Sequence, residues 1–344
     1  MPAVVSLTPA PVIDRTYFVE SFDTGKVNRA TEIQEFLSGK GINVSRTLRV
    51  AGVPTSAVLP VGREDEHLLF RTPYPQVLRI LPVPGRMRVN TAILEPSGET
   101  TNVNQKAVPL QERDWEAVVD MTLQEVRSLH ADWLVVSGSV PKLVETDEKI
   151  DLTRLFTEAR RLGTRIAVDT SGSSLETWAL SGLVDCIKPN ADEMATLVKR
   201  HLATVGDVLD ATREVIERAN LEVVLVSMGG DGAMVVTADD AWWGLAKAPQ
   251  VVNTTGAGDA SLAGFVGHSI QGPGQRGGQA NFGELPQLAI KRGLARAVEY
   301  GAMAVSVPTT IIDSLDGMPT AEITRPDPDR PLSEPTKFFE TPSA

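Results

Sequence analysis

The sequence has one cysteine, Cys186, and four histidines in 344 residues, and each scarcity removes a class of chemistry. A single thiol cannot build an internal disulfide framework or a thiolate metal cluster, and scattered histidines without paired spacing do not make a transition-metal site. Basic residues are outnumbered, 33 Lys and Arg against 44 Asp and Glu, which gives a formal net charge of -11. That balance argues against nucleic acid or an anionic membrane as the main partner, although a few cations focused in one cleft still suffice for a phosphorylated substrate. No apolar run approaches membrane-spanning length, and the opening MPAVVSLTPAPVIDRTYF has no basic flank. The expectation is a cytoplasmic protein with neither signal peptide nor membrane anchor.

What is present is a change of rhythm along the chain. Val4 to Thr8 reads as a buried strand stopped by Pro9 and Pro11. Thr16–Phe22 and Arg29–Phe36 alternate like half-exposed strands, and a helix follows within Ser38–Gly52. Thr55–Val61 reads as a core strand and Gly62–Phe70 as a turn and short helix. Gln76–Val83, Arg88–Leu94 and Thr100–Gln105 read as further strands that complete a small accessory sheet. From Leu110 onward, helices at Gln111–His130, Asp147–Leu162, Ala191–Lys199 and Val205–Ala219 alternate with strands at Trp133–Ser137, Arg165–Asp169, Leu183–Ile187 and Val223–Ser227. Such alternation predicts a parallel sheet covered by helices on both faces. The Gly-rich stretch from Ile270 to Gly283 reads as a mobile loop. Residues 319–344 have no apolar period and read as a disordered or surface-draped tail behind a domain spanning 1–318.

Two glycine-rich turns concentrate the chemistry. In NTTGAGDASLAGF, Asn253–Phe265, the small residues Gly256, Ala257 and Gly258 let bare N–H groups approach an anion where a buried helix begins. Asp259 is out of place beside a phosphate unless it takes a proton from an attacking hydroxyl. The alternative is that Thr254 or Thr255 caps the helix and Asp259 complements its dipole. In the second turn, Ser38–Asn43, Lys40 is followed by Gly41, which excludes a Walker A loop; Ser261 at the third-glycine position excludes a dinucleotide fingerprint. Arg29, Lys40 and Arg88 are candidates for a substrate phosphate, and Asp14 for vicinal sugar hydroxyls. Asn190 with Glu193 is a capping box by spacing, yet the same oxygens could hold water around Mg²⁺. Ser227–Gly232 is a strand-end turn able to border a nucleotide.

These motifs carry a resemblance. SGKGINVSRTLRVAG and NTTGAGDASLAGF, with SGSVP at Ser137, DTSG at Asp169, KPNADE at Lys188 and SMGGDGA at Ser227 in order between them, resemble the PfkB carbohydrate kinases, the family of ribokinase and the bacterial 1-phosphofructokinases. The second branch, with its tagatose-6-phosphate kinases, is the more similar. The resemblance implies an α/β, ribokinase-like three-layer sandwich built on a parallel sheet. It adds a small β-sheet lid, with strands at about 14–36 and 86–107, which in relatives often doubles as a homodimer interface. It implies Asp259 as the catalytic base, with the N–H groups around Gly256, Ala257 and Gly258 as anion hole. Asp14, Gly39, Lys40, Asn43 and Asn90 would bind the sugar, and Arg29 and Arg88 its existing phosphate. Lys188, Asn190, Glu193, Ser227, Gly230, Gly232 and Thr254 would bind ATP, with Mg²⁺ held indirectly by Asn190 and Glu193 and a monovalent cation as a further cofactor. The activity implied is ATP-dependent phosphorylation of a ketohexose phosphate, fructose 1-phosphate first, with fructose 6-phosphate or tagatose 6-phosphate as alternatives. A catalytically silent sugar-phosphate sensor is the rival of another class.

Overall fold

The computed structural model describes residues 2–98, 100–269, 287–307, 309–310 and 312–337. The chain opens with β1 (Val4–Leu7), makes an excursion through β2 (Val12–Val19), β3 (Ala30–Ser38) and α1 (Lys40–Val50), and returns with β4 (Thr55–Gly62) and β5 (Leu78–Val83). The excursion resumes with β6 (Arg88–Leu94) and β7 (Thr100–Asn104). Next come α2 (Glu112–Leu129), β8 (Trp133–Ser137), α3 (Thr153–Arg161), β9 (Arg165–Asp169), α4 (Ser173–Ala179) and β10 (Cys186–Ile187). The remainder comprises α5 (Ala191–Val198), α6 (Val205–Ala219), β11 (Val223–Ser227), β12 (Ala233–Val236), β13 (Ala241–Leu245), α7 (Ala257–His268), α8 (Gln287–Ala304) and β14 (Glu322–Thr324).

Ten strands make the main sheet in the order β14-β13-β12-β11-β10-β9-β8-β1-β4-β5. Pairing is parallel from β11 to β5 and antiparallel from β11 to β14. Both faces are buried because successive residues point to opposite sides. Val4, Trp133, Val135, Cys186 and Leu225 face α1, α7 and α8, packing on Leu48, Leu262, Phe265 and Leu294. Their neighbours Val5, Leu134, Val136, Ile187 and Val226 face Trp115, Val119, Phe156 and Val208 of the helices on the other side.

The separate sheet β3-β2-β6-β7 is the accessory sheet expected from the alternating segments. One expected member is not in it: Leu78–Val83 pairs in parallel with β4 and forms the edge of the main sheet. Its sequence LRILPV half-alternates as the lid strands do, but Val77 and Leu78 are needed to close the cluster around Ile42, Leu59 and Leu68. The helix expected from Asp147 begins only at Thr153. A bridge between Lys142 and Lys149 folds the preceding residues into a turn, with Asp147 at φ 58. The hairpin β12-β13 and helix α4 are additions to the expected elements. In the described part of the tail, β14 pairs with β13 at the edge of the main sheet and Leu332 is buried. The Gly-rich stretch from Ile270 to Gly283 lies outside the described residues.

Candidate active site

The carboxyl ends of the parallel strands deliver Thr8, Ser137, Asp169, Lys188 and Ser227 to one edge of the sheet. The chain leaves β1 toward β4 on one side, while β8 flanks it on the other, and this reversal opens the crevice in which doubly wound sheets bind ligands. Helices α1 and α7 aim their N-termini at that crevice. The approach of α1 is close: a Cβ on Gly41 would lie 2.6 Å from Thr8 Oγ1, and the Ile42 amide donates to the same hydroxyl at 3.1 Å. A cavity of about 510 Å³ results, walled by the sheet edge, both helix starts and the lid residues Asp14, Arg88, Asn90 and Asn104.

Charge in this cavity is tightly arranged. Asp169 is buried between two ammonium groups, Lys40 Nζ at 3.4 Å and Lys188 Nζ at 3.5 Å, and accepts from Ser137 Oγ at 3.1 Å. The two lysines and these hydrogen bonds hold its carboxyl below the ordinary range despite the opposing effect of burial. Lys40 is raised in turn, chiefly by Asp169, so it stays a cation at any working pH. Asp259 behaves oppositely. It is buried at the first turn of α7 and accepts from Asn43 Nδ2 at 2.9 Å. Burial, then the nearby Asp169 charge, pushes its pKa up to about 7, against the pull of Lys40, Asn43 and Lys188. A carboxylate poised near neutrality is suited to accept a proton.

The N-cap of α7 is Gly256 at φ 86, with no side-chain capping bond, so the expected alternative of a Thr254 or Thr255 cap does not hold. Asn253 Oδ1 instead accepts from the Thr255 amide at 2.9 Å. The Ala257 N–H makes a long turn bond to Thr254 O at 3.4 Å, whereas the first-turn N–H groups of Gly258 and Asp259 have no intrahelical acceptor and can turn to an anion. A Cβ on Gly258 would lie 3.0 Å from Lys188 Nζ, so the bare glycine seats that ammonium beside the helix start.

The lid supplies the neutral and acidic contacts. Asp14 pairs across β2 and β6 with Asn90, and burial raises its pKa against Ser38, Arg46, Arg88 and Asn90. Arg88 donates from Nη2 to Ala10 O at 3.0 Å. Among the described residues, Asn43 Oδ1, Arg88 Nε, Asn90 Oδ1 and Thr310 Oγ1 are buried without a hydrogen-bond partner. Four such groups around one cavity are what a polyhydroxylated, anionic ligand would satisfy.

Most residues expected from the sequence therefore meet: Asp14, Gly39, Lys40, Asn43, Arg88, Asn90, Lys188, Asn190, Glu193, Ser227, Gly256, Gly258 and Asp259 all line the cavity. Four do not. Arg29 is exposed just before β3, Gly230 is exposed in its turn, and Thr254 is exposed ahead of Gly256. Gly232 serves packing, since a Cβ there would lie 2.2 Å from Gly244 O. Asn190 and Glu193 do form the capping box, with Glu193 N to Asn190 Oδ1 at 2.7 Å and Asn190 N to Glu193 Oε2 at 2.9 Å. Among the described residues no cluster of three metal-ligating side chains exists. With one oxygen of each already engaged in the cap, the donor set fits a cation held through water and phosphate better than direct coordination.

The DTSG motif gives Asp169 no role on its own, and nothing in the pattern of α1 marks Arg46. Arg46 is 1% exposed inside α1 and donates to Leu37 O at 2.8 Å and Pro73 O at 3.2 Å. A lone arginine on an apolar helix gives no period that would reveal such burial.

The sequence matches the family described as pfkB family carbohydrate kinase over residues 3–316. The chain belongs to that family. Its relatives include the 1-phosphofructokinase of Rhodobacter capsulatus, 32% identical over 267 residues that cover 77% of this chain and 82% of the relative. The ATP-dependent 6-phosphofructokinase isozyme 2 of Escherichia coli K12 is 30% identical over 89% of this chain and 96% of its own length. Among solved structures, Escherichia coli phosphofructokinase-2 in complex with potassium superposes with a TM-score of 0.75 at 24% identity, covering 92% of this chain and 96% of that one. This pfkB kinase is thus a phosphotransferase of the sugar-phosphate kinase class, with the parallel-sheet sandwich and separate small sheet expected of it. No helix among its described residues is long and apolar enough to cross a membrane.

Proposed function

We propose that this pfkB kinase transfers the γ-phosphoryl group of ATP to a hydroxyl of a ketohexose phosphate, with fructose 1-phosphate as its preferred acceptor. The observation that carries the reading is Asp259, a buried carboxylate with a pKa of about 7 at the start of α7. It takes the proton of the attacking hydroxyl, and Asn43 holds it toward the sugar side. The first-turn N–H groups and the Lys188 and Lys40 ammoniums offset charge on the moving phosphoryl, while Asp14, Asn90 and Arg88 orient the sugar phosphate. Mg²⁺ bound with ATP, reached through water from Asn190 and Glu193, would supply further charge neutralisation.

The relatives named 1-phosphofructokinase, two of which are 32% and 29% identical to this chain, support fructose 1-phosphate as the acceptor. A second reading, fructose 6-phosphate, is favoured by the 30% identity to the 6-phosphofructokinase isozyme and by Ala10-Pro11, where the 1-phosphofructokinase branch usually has Asn-Pro. Lid residues Ile33 and Val103 are exposed apolar side chains suited to a homodimer contact, and the monovalent cation stays part of the same proposal. The test is initial-rate ADP release with Mg-ATP across fructose 1-phosphate, fructose 6-phosphate, tagatose 6-phosphate, fructose and ribose. The largest kcat/KM should fall on fructose 1-phosphate; a larger value for a 6-phosphate transfers the assignment to the second reading. Binding of sugar phosphate without ADP release from any acceptor would instead favour the sensor. Asp259→Asn should lower turnover by about 10² to 10⁴, with sugar binding retained.

A further inference from the structure

The family match ends at residue 316, yet the chain continues along the domain to Lys337. That segment is fastened to the elements that border the proposed nucleotide end of the cavity. Asp231 is the reason. It lies in the turn after Ser227, a turn with Gly229 at φ 57 and Gly232 at φ 88 whose outer residues are exposed. The Asp231 carboxylate is buried, and both of its oxygens are used by the tail: Ser333 N donates to Oδ2 at 2.7 Å and Ser333 Oγ to Oδ1 at 2.7 Å. Arg330 stands 3.7 Å from Oδ1 and stacks 4.6 Å over the Trp243 ring, whose Nε1 donates to Asp231 O at 2.9 Å.

The other end of the strap reaches the neighbouring wall. Thr336 exchanges hydrogen bonds with Leu202, and the Lys337 amide donates to Asp192 Oδ1 at 2.9 Å, inside the first turn of α5. Gly206 makes room for the crossing, since a Cβ there would lie 2.7 Å from Pro328 O. The two anchored walls also touch each other, because the Ser227 amide donates to Pro189 O at 3.0 Å.

We infer that residues 328–337 are a positioning strap for the nucleotide, with Ser333 and Arg330 holding the Ser227–Gly232 turn in its binding-competent form through Asp231. The inference rests on the reading that Ser227 and Asn190 border ATP. Without Ser333 and Arg330 the buried Asp231 carboxylate loses its donors among the described residues, and the glycine-rich turn is left with its own backbone bonds and the Trp243 indole bond to Asp231 O. If the competent turn is then populated about one fifth of the time, apparent nucleotide affinity falls about fivefold.

The experiment compares the intact chain with Arg330→Ala/Ser333→Ala and with the milder Ser333→Ala. Steady-state kinetics vary Mg-ATP and sugar phosphate separately, and calorimetric titration with Mg-ADP and a melting temperature are taken in parallel. The expected result is an Mg-ATP KM and an Mg-ADP Kd raised about fivefold in the double variant and less in the single one, at constant sugar KM and nearly constant kcat. A lower melting temperature with both KM values unchanged overturns the strap's positioning role, as does an equal rise in both. Asn190→Ala in the otherwise intact chain separates the two readings. A raised Mg-ATP KM there with no effect in the strap variants removes the strap alone, whereas no change there removes the nucleotide assignment and the strap with it.

Discussion

Replacing Asn43 with alanine should move the acid limb of the activity profile toward alkaline pH. The Asn43 amide donates to Asp259 Oδ2 at 2.9 Å between two buried side chains, and a hydrogen bond to an ionised acceptor is worth about 1.5–3 kcal/mol. Taking the lower value, because water enters the vacated space, ionised Asp259 loses about 1.5 kcal/mol, which is about one pKa unit. The sign is fixed by the chemistry: Asp259 works as a base only when deprotonated, so activity falls as pH drops through its pKa, at about 7 in the parent. In Asn43→Ala the midpoint of kcat/KM moves to about 8; at pH 7 the ionised fraction falls from about one half to one tenth, and it is largely restored near pH 9. Loss of the proposed sugar contact through Asn43 Oδ1 would lower the plateau without moving the limb. The assay is kcat/KM for the preferred acceptor from pH 5.5 to 9.5 at saturating Mg-ATP. An unchanged or acid-shifted limb refutes the assignment of Asp259 as the titrating base.

Three perturbations test the scaffold. Gly232→Ala sets a Cβ against Gly244 O at a φ of 88, so it should destabilise by more than about 1 kcal/mol in urea unfolding; a neutral change would show that the hairpin yields. Arg46→Met removes the cation that helps keep Asp14 ionised and leaves Leu37 O and Pro73 O without their donor, at a cost of about 3 kcal/mol by the same measurement. Its sugar KM should rise while the Mg-ATP KM stays put. Phe156→Ala opens a cavity beside Trp178, whose ring lies 5.3 Å away edge-on, and should cost about 3–5 kcal/mol with the active-site KM values unchanged.

The legible part of this molecule is the part whose physics repeats. VVSL, WLVVS, RIAVD and VVLVS are short apolar runs because both faces of a parallel strand are buried, and their alternation with helices announces the sheet order's parallel core. The cradle at Gly256–Asp259 and the turn at Gly39–Gly41 were legible for a different reason, since backbone must approach a ligand or Thr8 at distances that admit no side chain. Leu78–Val83 was misassigned because an edge strand of the main sheet, covered on one side only, carries the same half-alternation as a lid strand. Asp169 and Arg46 stayed hidden because a buried charge takes its meaning from partners that are remote in sequence: Lys40 lies 129 residues from Asp169.

The tail extends this reasoning to its limit. It binds through Arg325 stacked 3.7 Å over Trp242, Arg330 over Trp243, and hydrogen bonds from Ser333 and Thr336, with Leu332 as its buried apolar anchor. Contacts of that kind impose no period of 2 or 3.6 on the sequence, so composition alone gives the same signal as a disordered segment. Their partners are the consecutive tryptophans Trp242 and Trp243 on β13, the strand that would be the edge of the main sheet without β14. An edge strand with two adjacent large aromatics has one ring directed to each face and open backbone groups between them, and all three features need cover from elsewhere in the chain. Here the cover is the segment after α8, and the pairing of Trp243 with Thr324 puts it in register.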